Sequence, residues 1–222
     1  HKVTFDDTVQ IGRSLPLEVW SLHNPILVKE PTSNYNVGRV KKFGVYNSEH
    51  RYNLLKYALH TSLKEGRQTL IYGGTMQIKY LKSIYEKLQG DGFEVSFTYG
   101  DDPNRVKEII DFSEERTKIL ISNIILGTGV NIPSIGSIIY ACPTDNRIDV
   151  LQAPIGRLGR LYKDFNTHLT NGIIWDFFDD DTYYPSLLSG SNPIPGELTR
   201  ISQIRQGYFK DQNIPIIDKT PI

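Results

Sequence analysis

Five short apolar runs, spaced by amphipathic or glycine-marked stretches, constrain this chain more than any other feature. They are "TLIYGG" (69–74), "EVSFTY" (94–99), "KILIS" (118–122), "SIIYA" (137–141) and "GIIWDFF" (172–178). A strand wet on one face alternates apolar and polar residues. A nearly continuous apolar run means burial on both faces, as in a parallel sheet sandwiched between helices. The intervening segments read as those helices. "NSEHRYNLLKYALHTSLKEG" offers Asn47 or Ser48 as a cap and Glu49 in the first turn, puts Leu55, Ala58, Leu59 and Leu63 on one stripe, and stops at Gly66. A second helix is expected from a cap at Thr75 to Gly90, with Leu81, Ile84, Tyr85 and Leu88 on one face. A third takes Asp102 as cap and Pro103 as its first residue, turning Val106, Ile109 and Ile110 inward. The expected class is α/β with a mostly parallel central sheet, in which ligands sit at the carboxyl ends of the strands.

Three regions follow from this pattern. Residues 1–45, broken by Pro16, Pro25 and Pro31, read as a lead-in or inter-lobe segment with one or two strands. Residues 46–184 form the compact lobe. Residues 185–222 hold a Pro/Gly/Ser linker, "PSLLSGSNPIPG", and a closing helix, "ELTRISQIRQGYF", with Leu198, Ile201, Ile204 and Tyr208 as its stripe. Lys+Arg and Asp+Glu both number 25, which argues against wrapping duplex DNA in a broad basic field. A small, directed phosphate site is compatible with that balance. The single cysteine, Cys142, excludes an intramolecular disulfide and points to a reducing, cytoplasmic setting, the host's cytoplasm if the source is viral. No apolar run reaches the roughly 18 residues of a bilayer span, and no signal peptide is visible.

Polar, glycine-bearing turns fall where several strands should end. Gly73, Gly74 and Thr75 join a strand to a helix, where outward N–H groups favour an anion; a steric need for glycine explains them equally well. In "SNIILGTGVNIP", Gly127 and Gly129 flank Thr128, and Asn131 carries donors and an acceptor suited to a ribose hydroxyl or to an Asx turn before Pro133. "QAPIGRLGR" then places Arg157 and Arg160 three positions apart, each behind a glycine. Both stay charged and present planar forks matched to phosphate. A basic, glycine-capped helix end is the other reading. Asp179–Asp181 read as a solvated turn and Asp176 as an end-of-strand structural residue. The histidines lack metal-ligand spacing and no G-x-S-x-G elbow occurs, so no metal site and no Ser or Cys nucleophile is expected.

The ordered set "TLIYGGTMQIKYL", Arg105 to Phe112, "ILISNIILGTGVNIP" and "QAPIGRLGR" resembles motifs IV, V and VI of superfamily-two helicases, over about residues 45–210. Ser122, Thr128 and Gly129, "EHRYNLLKYAL", and the late Arg200, Arg205 and Tyr208 are similar to phage UvsW-like branch-migrating DNA helicases. The family usually reads Q-x-x-G-R-x-x-R, whereas Gln152 here precedes Gly156 by four, next to Pro154. Asn131 stands where many relatives have Asp. No glycine is followed by lysine, so the P-loop is absent, as is an upstream Asp-Glu pair.

The resemblance implies a RecA-like three-layer sandwich, the second lobe of an ATP-dependent DNA helicase acting in replication, recombination or repair. ATP and Mg²⁺ would be held mainly by an N-terminal RecA-like lobe of the same protein, with this chain alone inactive. It implies Arg157 and Arg160 as catalytic arginine fingers. Gly129, Asn131 and Gln152 would join them on the nucleotide. Gly74, Thr75, Ser122, Asn123 and Thr128 would lie along a DNA single strand within branched or duplex substrates. Two other readings stay open: a nucleic-acid-binding module on the same fold without ATPase activity, and a doubly wound small-molecule enzyme such as a nucleotide-sugar transferase.

Overall fold

The computed structural model of the chain describes residues 15–27, 36–74, 76–123, 135–146, 158, 169–183 and 193–222. Its centre is a seven-stranded sheet in the order β3-β4-β2-β5-β6-β1-β7. The strands are β1 (Leu17–Pro25), β2 (Gln68–Tyr72), β3 (Val95–Thr98), β4 (Ile119–Ser122), β5 (Ile135–Tyr140), β6 (Gly172–Asp180) and β7 (Ile216–Asp218). Every strand pair is parallel. The helices are α1 (Val37–Val40), which continues as a π-helix over Lys41–Tyr46, then α2 (Glu49–Lys64), α3 (Ile78–Gly90), α4 (Arg105–Ser113) and α5 (Glu197–Lys210). The sheet is thus wholly parallel, as continuous apolar runs require when both faces are covered.

Neighbouring residues of each strand point to opposite faces and so feed two cores. Ile71, Ile121, Ile139, Trp175 and Phe177 pack with Leu55, Leu59, Leu81 and Leu88 of α2 and α3. Leu70, Leu120, Ile138, Tyr140 and Ile174 pack on the other side with Ile109 and Phe112 of α4 and Phe209 of α5. The result is the three-layer arrangement expected from the sequence.

Several local expectations change. The lead-in, expected to hold one or two strands, supplies β1, whose place the sequence does not indicate: it lies between β6 and β7 and pairs with β6 along its whole length. Trp20 sits opposite Trp175 with ring centroids 5.0 Å apart, edge to face. Asp102 is not the helix cap. Its Oδ1 accepts the Asn104 N–H at 2.9 Å, and α4 begins at Arg105. Ile109 and Phe112 alone set the buried face of α4, leaving Val106 and Ile110 exposed. The α5 stripe runs through Leu198, Ile201, Arg205 and Phe209, with Ile204 exposed and Tyr208 only partly buried. Arg205 replaces Ile204 on that stripe because a buried carboxylate awaits it.

Candidate functional site at the carboxyl edge of the sheet

The carboxyl ends of β2, β4 and β5 are locked side by side. Gly73 N–H donates to the Ser122 carbonyl at 2.8 Å, and Ala141 N–H donates to the Tyr72 carbonyl at 2.9 Å. The turn after β2 and the exit of β4 therefore lie together, as the sequence reading required for Gly74, Ser122 and Asn123. The two glycines serve different needs. A Cβ on Gly73 would lie 2.4 Å from Leu81 Cδ1, so close packing of α3 demands glycine there. Gly74 has φ +50°, a left-handed conformation that costs other residues roughly 1–2 kcal/mol.

Ser122 is fully buried, and its side chain is interior to the edge rather than presented on it. Asn123 differs: its Oδ1 is buried without a hydrogen-bond partner. Such an orphaned acceptor is costly. It suits an incoming donor such as a base amino group, a sugar hydroxyl or a protein N–H, and it does not suit a phosphate oxygen. Thr75, Thr128, Gly129, Asn131, Gln152, Arg157 and Arg160 lie outside the described residues. Leu158, between the two arginines, is buried among Leu17, Val19 and Ile174.

Beneath the edge lies a charged network that sequence reasoning misplaced. Asp179–Asp181 are not a solvated turn: Asp179 and Asp181 are at most 1% exposed. Arg51 donates from Nε to Asp179 Oδ1 at 2.8 Å and from Nη2 to Oδ2 at 3.2 Å, with its Cζ 4.2 Å from the Phe177 ring centre. Asn24 Nδ2 adds a third bond to Asp179 Oδ1 at 2.7 Å. Asp181 accepts the Leu198 and Thr199 N–H groups at 3.2 and 2.9 Å, capping α5 where Gly196 has no side chain to do so. Asp176, expected to be structural, is fully buried and paired with Arg205. Full burial pushes the Asp176 carboxyl up against the opposing pull of Arg205.

The two buried arginines converge on the chain leaving β5. Arg51 Nη1 donates to the Ala141 carbonyl at 2.8 Å, and Arg205 Nη1 to the Thr144 carbonyl at 3.2 Å. They fix both ends of the Ala141–Thr144 stretch, which precedes the segment bearing Arg157 and Arg160. A signal for this was present in the sequence. Arg51 stands one helical turn before Leu54 and Leu55, Arg205 lies midway between Ile201 and Phe209, and acids interrupt the apolar run "IIWDFFDD". Among the described residues, no group of three His, Cys, Asp or Glu could hold a metal, and no helix is long and apolar enough to cross a membrane.

Comparison with known proteins places this edge in context. The family described as "Helicase conserved C-terminal domain" matches residues 50–162, just over half of the chain. The ATP-dependent RNA helicase DBP5 of Kluyveromyces lactis is 31% identical over 147 residues, covering 64% of this chain and 29% of that protein. The ATP-dependent RNA helicase ddx19 of Dictyostelium discoideum is 34% identical over 82 residues, covering 35% of this chain and 17% of that protein. The matched region is thus less than a third of either relative's length. Among solved structures, T4 UvsW superposes with TM-score 0.68 at 16% identity over 94% of this chain and 42% of that one. The C-terminal domain of the DEAD-box protein Dbp5 gives TM-score 0.55 at 17% identity, covering 92% of this chain and 91% of that one. At such identities the superpositions establish the RecA-like fold alone, and the family match carries the rest. The chain belongs to the helicase conserved C-terminal domain family and carries it on a RecA-like fold.

Proposed function

We propose that this lobe serves an ATP-dependent DNA helicase or translocase that remodels branched or duplex DNA. The observation that carries the reading is the family match across residues 50–162, which contains both the G-T-G loop and the G-R-L-G-R pair. The choice of the UvsW-like branch rests on the sequence likeness at Ser122, Thr128, Gly129, Arg200, Arg205 and Tyr208, and a fold shared with T4 UvsW over 94% of the chain is compatible with it. The carboxyl edge would hold the strand through Gly74, Thr75, Ser122, Asn123 and Thr128. With Ser122 buried, its contribution is to shape the turn, and Asn123 offers its unpartnered acceptor.

Gly129, Asn131 and Gln152 would line the nucleotide, and Arg157 and Arg160 would place positive charge where its phosphates end. ATP with Mg²⁺, held mainly by a first RecA-like lobe, supplies phosphoryl transfer to water. This chain's share is charge stabilisation and closure against that lobe. A cytoplasmic setting accompanies this reading, as does an inability of the lobe alone to hydrolyse ATP. RNA as the strand is the second reading, favoured by the DBP5 and ddx19 likenesses.

The test uses the protein with both lobes. Arg160→Ala should lower strand-stimulated hydrolysis by about 10³-fold or more, with nucleotide binding little changed, as for arginine fingers elsewhere. Normal turnover would refute the assignment. Parallel assays with single-stranded DNA, forked DNA and RNA decide the strand: stimulation by RNA alone would replace the DNA reading with its rival.

A further inference from the structure

The net charge of the chain is zero, yet its basic residues are unevenly placed. Residues 31–48 and 66–85 contain no Asp or Glu at all. The fold brings these two acid-free stretches together: Tyr46, ending the π-helix, stacks on Tyr80 in the first turn of α3 with ring centroids 4.3 Å apart. The two stretches carry Arg39, Lys41 and Lys42 on the helix that ends at Tyr46, and Lys79 beside Tyr80. Among the described residues, none of the four has a carboxylate partner. By contrast Lys56, Lys87, Lys107 and Lys118 are all paired.

Aromatic faces are interleaved with this charge. Phe43 is 58% exposed, with Lys42 Nζ 5.5 Å from its ring centre, and Lys79 Nζ lies 5.0 Å from that of Tyr80. An exposed Phe directly after two lysines is unfavourable as an isolated surface feature and well suited to stacking a base.

The platform is rigid. Gly44 lies so close to Ile26 that a Cβ would fall 2.7 Å from Ile26 Cγ2, and Asn24 Nδ2 donates to the Gly44 carbonyl at 3.1 Å. Val45 is buried against Leu198 and Ile201. Tyr46 reaches the end of β5: burial first, then Cys142, push its hydroxyl up to about 12. Pinned on this side, the π-helix leaves Lys42 and Phe43 exposed, and its last residue, Tyr46, stacks on Tyr80 of α3, the helix that follows the Gly74 turn. A π-helical turn is an uncommon conformation that recurs at functional sites.

The geometry points to a second single-stranded DNA contact on this strip, with bases stacking on Phe43 and phosphates gripped by Arg39, Lys41, Lys42 and Lys79. It rests on the reading that a DNA strand crosses the carboxyl edge, and it extends that path beyond Gly74 and Thr75. Stacking plus point charges makes the contact indifferent to sequence, as a translocating motor requires.

The test is equilibrium binding of a fluorescent oligothymidylate to this chain without nucleotide, across a salt series. Phe43→Ala should weaken binding roughly fivefold or more. Lys42→Gln with Lys79→Gln should lower the slope of log K against log salt by about 1.4, at about 0.7 per lost phosphate contact. Lys64→Gln with Lys210→Gln, which removes the same charge from exposed helix ends elsewhere, should leave the slope nearly unchanged. Unchanged thermal midpoints confirm that all variants fold. The proposal is overturned if wild type does not bind, if both lysine pairs lower the slope equally, or if only duplex DNA or RNA depends on the strip. Loss of the strip with wild-type binding intact leaves the motor-lobe reading standing, and failure of the Arg160 test would not move these slopes.

Discussion

Replacing Arg205 with methionine keeps the aliphatic stem inside the core and removes only the guanidinium. That group is 1% exposed and donates to the Thr144 carbonyl at 3.2 Å, to the Phe177 carbonyl at 2.6 Å and to Asp176. Removing one member of a buried pair typically costs ~3–5 kcal/mol, because the other charge stays behind without compensation. Folded domains are stable by only about 5–15 kcal/mol, so the variant should sit near the edge of folding. The pH dependence has a definite sign. Burial already pushes the Asp176 carboxyl up, and losing the cation raises it further. Between the unfolded carboxyl pKa of about 3.9 and this raised value, the folded variant binds a proton that the unfolded chain does not. Its stability therefore falls as pH rises through that window, and its deficit against wild type narrows in acid. Adding Asp176→Asn removes the stranded charge and should recover about 2 kcal/mol or more of the loss at neutral pH. Urea unfolding of the two single variants and the double, at pH 7 and pH 5, measures all of this. A loss of under ~1 kcal/mol for Arg205→Met, or strictly additive single effects, would refute the buried-pair account.

Gly73→Ala should cost about 1–3 kcal/mol, since its Cβ would fall 2.4 Å from Leu81 Cδ1. Leu81→Ala in the same chain should relieve the clash, and thermal melts showing additive losses would argue against it. At Asp180, burial opposes ionisation, but hydrogen bonds from Thr182 and His23 outweigh it and hold the carboxyl below its ordinary range. Its contribution is therefore present at neutral pH and lost as pH falls below about 4 through the depressed value. Asp180→Asn should flatten the acid limb of the stability profile, and an unchanged limb would remove Asp180 from that role.

The regular elements were legible because each depends on local rules. Ser48 caps α2 as expected, its Oγ accepting the Arg51 N–H at 3.2 Å, and Gly66 ends that helix with φ +72°. The apolar runs could be read as doubly covered strands because continuous hydrophobicity has few other uses in a short segment. The turn glycines were legible as turns, but their separate reasons were not. The clash at Gly73 involves a side chain from the next helix, and the Gly74 requirement is a backbone angle.

The acidic run shows where local reading stops. Asp179–Asp181 have the composition of a surface turn, and although they close an apolar run, no residue within a few positions can neutralise them. Their partners come from Arg51 and Asn24 far upstream and from the Thr199 region downstream. Parallel strands place such residues together only after long crossovers are closed. The basic strip is equally non-local: each acid-free stretch is unremarkable until Tyr46 meets Tyr80.

The amino-acid order by itself determined the α/β layering, the Ser48 cap of α2 and the motif series that marks the family, because periodicity, capping and motif spacing are properties of neighbouring residues. Only the tertiary structure decided that β1 joins the sheet beside β6, that two arginines neutralise the β6 carboxylates, and that the two acid-free stretches meet where Tyr46 stacks on Tyr80. Burial and charge pairing are set by what lies across space, and distance along the chain does not encode that.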